Sequence, residues 1–375
     1  MDFLWNYVVV FLLILTVVVF IHEAGHYLVA RWNGVRIEVF SIGFGPEIWG
    51  FTDRAGTRWR FSLLPLGGYV RMFGDGDAAS ATADGRPMSE ADWAVSFRGK
   101  RVGQRAAIVF AGPAANILFA VAGLAVMFMV LGQPVTEPVI GQVLAGTAAE
   151  EAGLMPGDRI VGANGAEVER FQDIQRIVRL DIDKPLELEI ERDGRPLSIT
   201  ARPRIVERKG MFGDMEKVPV LGISAAASGT KVVRLGPVSA TLQAVRETGT
   251  MISSTFVGIG QMISGVRDSE ELGGPIRIAK GAGEAAQLGV ASVVFYVILL
   301  SLNLGLINLL PVPILDGGHL VFYAVEAILG RPLGARAQEY GFRIGLFLVL
   351  ALMIFATRND IVSLPAWDAI RRLFS

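Results

Sequence analysis

With 375 residues, 52% apolar side chains, 19% charged ones and a mean hydropathy of +0.47, the chain is too hydrophobic for a soluble globule. It is also too charged to lie wholly in a bilayer, and a net charge of −1 carries no nucleic-acid signature. The absence of cysteine excludes disulfides and thiolate metal sites, so any metal must rest on nitrogen and oxygen ligands.

A spanning helix needs about 20 apolar residues, and four segments qualify. The first is 1–34, where FLWNYVVVFLLILTVVVF (3–20) runs without a formal charge straight into IHEAGHY. No basic residue precedes it and no small-residue cleavage site follows, so it reads as a retained span rather than a signal peptide. Residues 35–74 (VRIEVF…RMFG) are rich in β-branched and aromatic residues with Gly and Pro punctuation, which predicts membrane-associated β-hairpins. Residues 75–104 read as a cytoplasmic loop. The second span is 105–131.

Residues 136–225 change to mixed helix and strand with ordinary charge, including a hairpin centred on Asp193-Gly194. They predict an inserted α+β domain. Residues 230–288 form an amphipathic, Gly-rich linker region expected at the membrane surface. The third span is 289–319 and the fourth, shortest one is 340–358, where Arg343 reads as a snorkelling residue. Arginines and lysines gather between spans one and two and again at Arg331 and Arg336. That predicts N- and C-termini outside the cytoplasm, with Arg358, Arg371 and Arg372 counting mildly against. The fold class is thus a polytopic α-helical membrane protein of four transmembrane helices, with a membrane-associated β region and an inserted α+β domain.

His22, Glu23 and His26 pose the chemical question, because imidazoles and a carboxylate are costly in a span and usually functional there. On a helix, His22 and His26 lie one turn apart and reach one zinc, while Glu23 beside them can take a proton from a coordinated water. Zinc brings the pKa of such a water to about 7 and polarises a carbonyl, the two effects that amide hydrolysis needs. A catalytic zinc has three protein ligands and one open position. The third should come from NLGLINLLPVPILDGGHL (303–320), where Asp316 and His319 are both eligible and spacing does not decide between them.

HEAGH in a first span, GPAAN (112–116) in a second and NLLPVPILDGG (308–318) in a third together resemble the site-2 protease family of intramembrane zinc metalloproteases. The resemblance implies Zn2+ held by His22, His26 and Asp316, with Glu23 as general base and His319 as a neighbour. Segment order is similar to the bacterial branch typified by the regulator of sigma-E protease. In that branch a PDZ module lies between spans two and three, and GLMPGDRIVGANG (153–165) resembles a PDZ signature; LGGPIRIAKGAG (272–283) resembles the segment before span three. Only one PDZ-like domain fits here, where well-known members carry two.

The resemblance implies an enzyme of the bacterial inner membrane that cuts single-pass membrane proteins within their spans. Its implied substrates are a truncated anti-sigma factor in an envelope stress response and remnant signal peptides, its active site lies near the cytoplasmic side, and its PDZ domain is periplasmic. That domain would bind a peptide end or filter substrates by size. A helical substrate must unwind, and the β region is expected to hold it as an added strand along Leu66-Gly67-Gly68-Tyr69-Val70, with Gly67, Gly68 and Tyr69 as the substrate contacts. Those glycines equally suit a simple turn. Asn308 is expected to bond the unwound backbone or the developing oxyanion; Asn303 and Asn116 serve as support between spans or as interhelical glue. Two rival functions are a scaffold or chaperone with a degenerate site, which predicts no stoichiometric zinc, and a metal transporter, which predicts more intramembrane carboxylates than Glu23, Asp316 and nearby Glu326.

Overall fold

A computed structural model describes residues 4–75, 89–180, 184–209, 215–226, 230–266 and 273–362. In chain order, a π-helical turn (Leu4–Val9) leads into α1 (Val10–Trp32), then β1 (Ile37–Thr52), β2 (Arg58–Met72), α2 (Glu90–Val95) and α3 (Val102–Val130). Next come β3 (Gln133–Thr136), β4 (Ile140–Val143), α4 (Ala148–Glu151), β5 (Arg159–Ala163), β6 (Ala166–Glu167), α5 (Phe171–Leu180), β7 (Leu186–Arg192) and β8 (Arg195–Ala201). The chain continues through β9 (Arg204–Lys209), β10 (Met215–Val220), β11 (Ile223–Ala225), β12 (Thr230–Val233), α6 (Pro237–Ile263), α7 (Pro275–Leu288), α8 (Val290–Asn308), α9 (Asp316–Leu329) and α10 (Ala335–Val362). The chain forms two compact units, one from Met1–Gly123 with Leu272–Ser375 and the other from Leu124–Glu271.

Four helices among the described residues are long and apolar enough to cross a membrane: Tyr7–Trp32, Val102–Val130, Val290–Asn308 and Arg336–Val362. Two differ from the sequence expectation. The third span, expected over 289–319, ends as a helix at Asn308, and Asp316 instead begins the separate helix α9. Pro311 and Pro313 explain the break, since neither donates a backbone N–H and each disfavours helix at the residue before it. Gly317 and Gly318 then let the start of α9 tuck against the Leu309, Leu310 and Val312 carbonyls, where any Cβ would collide. The fourth span, expected over 340–358, is longer, because strong helix formers in ARAQEY extend it N-terminally.

In the first unit, Ile14 and Val18 of α1 pack with Ala282 and Ala285 of α7 and with Tyr296 of α8. The Tyr296 hydroxyl donates to the Ile278 carbonyl at 2.9 Å. The start of α7 is held from the far end of the chain. Asp360 of α10, 1% exposed, accepts from the backbone N–H groups of Gly274 (2.8 Å), Ile276 (2.9 Å) and Arg277 (3.1 Å). These are orphan donors of a helix N-terminus, which a carboxylate satisfies and whose dipole it complements.

β1 and β2 fold on themselves as well as on each other. Residues 39–42 pair with 68–71 on one side and with 58–61 on the other, and 47–52 pair with the far side of 58–62. Residues 68–72 are therefore an edge, to which no further strand is paired among the described residues. Asp53, in the turn between the strands, bonds Ala55 N (2.8 Å), Thr57 N (3.0 Å), Trp59 Nε1 (3.0 Å) and the Tyr27 hydroxyl of α1 (3.2 Å). Burial works against its charge, but these donors together hold its carboxyl below the usual range.

The second unit is α+β. Its main sheet has the order β6-β5-β7-β8, and its core gathers Ile140, Leu154, Ile160, Phe171, Ile174, Leu186, Leu188 and Ile190. β7 and β8 turn at Asp193 (φ 50°) and Gly194 (φ 74°), the left-handed pair that a two-residue hairpin demands. Asp158, 1% exposed, receives Arg192 Nε and Nη2 at 2.7 Å each and Met155 N at 2.8 Å. Burial raises its pKa, and the Arg192 fork and the Met155 N–H outweigh that, so the carboxyl sits below its ordinary value. A depressed carboxylate stabilises above the unfolded pKa of about 3.9 and loses that contribution as pH falls through the folded value. Asp158→Asn should thus lower the unfolding free energy of this unit at pH 7 by about 2–3 kcal/mol. The difference from wild type should shrink below pH 4, as followed by chemical denaturation of the whole chain in detergent.

Candidate metal centre

The HEAGH segment sits on α1, where His22 and His26 are buried one turn apart and their rings meet edge to face at 4.8 Å. Between them, Gly25 admits a second backbone: a Cβ there would collide with the Ala111 carbonyl and Ala115 of α3. α3 can therefore lie against the motif, and its Gly112 faces both imidazoles so closely that a Cβ would overlap His26 Nε2 and Cε1 and crowd His22 Cε1.

Asp316 completes the cluster from the first position of α9. His22 Nε2 and His26 Nε2 are 3.2 Å apart, and Asp316 Oδ2 lies 3.1 Å from the first and 3.5 Å from the second. These donor atoms all fall within 4.8 Å of one another, and Asp316 Oδ2 is buried with no hydrogen-bond donor among the described residues. His26 Nδ1 lies 2.9 Å from the Ile108 carbonyl, which can only accept, so Nδ1 carries the proton and Nε2 presents a lone pair.

Asn116, fully buried, sets the other imidazole. Its Nδ2 is 3.3 Å from His22 Nδ1, while its Oδ1 is buried with no partner among the described residues. Rotating the amide by about 180° brings Oδ1 to an Nδ1–H of His22 and leaves His22 Nε2 as a lone pair as well. The Asn116 carbonyl accepts from Ser301 of α8 (3.2 Å), and Gly305 of α8 leaves room for its Cβ.

Glu23, on the same turn of α1, is half-buried and takes a hydrogen bond from the Val70 backbone N–H. A Cβ on Gly68 would come within 3.6 Å of Glu23 Cγ. The edge 68–72 thus runs alongside the carboxylate.

The remaining expected residues fall in different places. Gly67 (φ 129°) packs on the Phe44 ring. Tyr69 stacks on Phe44 at 5.9 Å and accepts from Arg60, so its side chain serves the sheet. His319 lies among the Phe322, Tyr323 and Phe342 rings at 5.3–6.5 Å, outside the donor cluster. Asn303 and Asn308 are half-buried on α8, and neither side chain makes a hydrogen bond among the described residues. Gly112 and the Ile108 carbonyl carry no signal of this role in the sequence, whereas Val70 belongs to the expected substrate strand. Gly112 stood in view inside GPAAN, but small residues in spans ordinarily signal helix packing.

The chain matches the model described as Peptidase family M50 over residues 10–352. It is 46% identical over 367 residues to the Agrobacterium fabrum protein named "Putative zinc metalloprotease Atu1380", covering 97% of each chain. It is 40% identical over 388 residues to Metalloprotease MmpA of Caulobacter vibrioides, again covering 97% of each. With four span-length helices and a buried N,N,O donor set, the chain belongs to peptidase family M50, the site-2 protease family of zinc-dependent membrane metalloproteases.

Proposed function

We propose that His22, His26 and Asp316 hold the zinc of an intramembrane endopeptidase, and that Glu23 is its general base. The observation that carries this reading is the meeting of two imidazole Nε2 atoms and one carboxylate oxygen at 3.1–3.5 Å. Tetrahedral zinc with bonds of about 2.0–2.1 Å separates its ligand atoms by about 3.3–3.4 Å, which suits that spacing.

Bound zinc supplies Lewis acidity, acidifying water and polarising the scissile carbonyl. Glu23, aimed by the Val70 N–H, takes the water's proton and passes it to the departing amide nitrogen. The open edge 68–72 adds the unwound substrate as a strand, and Gly68 allows its backbone close to Glu23. Asn308, at the end of α8, bonds the substrate backbone or the developing oxyanion.

The substrates in this reading are single-pass proteins of a bacterial inner membrane, notably a truncated anti-sigma factor and remnant signal peptides. The Leu124–Glu271 unit acts as a single periplasmic PDZ-like filter, with both chain termini on the same side of the membrane. Metal analysis of the purified chain, paired with cleavage of a model transmembrane peptide, tests the centre. Wild type should hold one zinc. His22→Ala should lose it, and Asp316→Asn should hold it more weakly because a neutral amide replaces a charged ligand. A zinc-free but fully active wild type is the contrary result.

A further inference from the structure

α9 is not one of the span-length helices, yet it carries Asp316. The chain before it, 309–315, is a non-helical elbow held by short turns such as Val312 N to the Leu310 carbonyl (2.7 Å) and Leu315 N to the Val312 carbonyl (2.9 Å). The elbow and the Gly317 and Gly318 contacts fix where α9 starts. The tilt of its far end against α3 is set further along.

Asp316 and Tyr323 share one face of α9, since an offset of seven residues falls within about 20° of two full turns, and Glu326 lies about 80° round from Asp316 on the same broad side. Ten residues of helix put Glu326 about 15 Å from the carboxylate that meets the imidazoles. On α3, Arg105 precedes Gly112 by seven residues, two turns or about 10.5 Å. The two helices flank the histidines at one end and bond each other directly at the other. At one end Gly112 and Asp316 bracket the histidines. At the other, Arg105 Nη2 donates to Glu326 Oε1 at 2.6 Å, with the side chains only 15% and 13% exposed. Arg105 also donates from Nε to the Lys100 carbonyl at 3.2 Å, and its guanidinium lies 4.9 Å from the Tyr323 ring centre. Tyr323 is itself buried with Ala30 of α1 and with Ile108 and Val109 of α3. An exposed ion pair such as Arg343–Glu339 does little for a fold. A desolvated pair stacked on a ring has one good geometry, and departing from it strands a charge.

We propose that the Arg105–Glu326 ion pair is a positioning clamp that fixes α9 against α3 and so aims Asp316 at the two histidines. The proposal rests on the metal-centre reading above. Neither residue touches substrate or zinc; both act through the placement of Asp316.

The test uses the full chain in detergent, comparing wild type with Glu326→Gln, Arg105→Lys and the double variant Arg105→Met with Glu326→Leu. Zinc retention against graded chelator, kcat and KM on a model span, and melting temperature are read for each. Glu326→Gln should release zinc at about tenfold lower chelator, with kcat down about tenfold or more and KM unchanged, because a small misplacement of a reacting group is costly. Arg105→Lys should shift both readings in the same direction, since lysine lacks the planar fork and ring stacking. The apolar double variant should melt like wild type, because well-packed hydrophobes replace a buried pair without loss. It should nevertheless show the weak zinc and low kcat, which separates aim from stability. Wild-type zinc retention and kcat in any of these variants that folds overturns the clamp. His22→Ala retaining stoichiometric zinc overturns the metal-centre reading instead, whatever the clamp variants do.

Discussion

Glu23→Gln is expected to leave the zinc content of the purified chain unchanged while slowing cleavage of a model span by roughly 10²–10⁴-fold, the range attributed to a positioned general base. The glutamine keeps the shape of the side chain, and its carbonyl oxygen still accepts from the Val70 N–H, so the neighbouring edge need not move. What disappears is the capacity to take a proton. Metal analysis and single-turnover cleavage on the same sample separate the two. A Glu23→Gln chain with wild-type rate would remove Glu23 from catalysis.

Gly112→Ala should produce the opposite pattern, with zinc and activity lost together. The added methyl falls on His26 Nε2, which lies 3.5 Å from Asp316 Oδ2, and against His22 Cε1. Neither helix can retreat easily, because Gly25 already places α1 against the Ala111 carbonyl. Overpacking of this kind costs about 1–3 kcal/mol in stability. Displacement of a ligand should cost at least about 10²-fold in rate. Gly103→Ala, on the same helix but with nothing within 4 Å of the new methyl, is the control and should be silent in both assays. Zinc bound at wild-type affinity in Gly112→Ala would contradict the geometry of the site.

The histidine pair was legible because its two members are one helical turn apart, and a turn is the one distance that a short motif encodes directly. The third donor was harder. Spacing allowed both Asp316 and His319, and only the family resemblance favoured Asp316. The choice depends on where the third segment stops being helical, and reading 289–319 as one span concealed that stop. With the break between Asn308 and Asp316, the carboxylate starts a new helix and His319 turns one step away, into the Phe322, Tyr323 and Phe342 rings.

The β region was legible as strands from its β-branched and aromatic content, but its pairing was not. Residues 39–42 are flanked by two different stretches of β2, and a segment apolar on both faces carries no alternation from which to read a partner. Tyr69 illustrates the cost. It was grouped with its glycine neighbours as a substrate contact, while its ring stacks on Phe44 inside the sheet. Gly112 escaped notice for a related reason: a glycine in a span signals close approach without saying to what.

The bond from Asp360 to the start of α7 joins residues 86 positions apart in sequence. Its consequence concerns movement. The end of α10 and the segment that leads into the third span are riveted by a single carboxylate, so neither can swing sideways alone. Any opening of the helices to let a client in from the lipid must either carry both as one leaf of the door or break three backbone contacts at once.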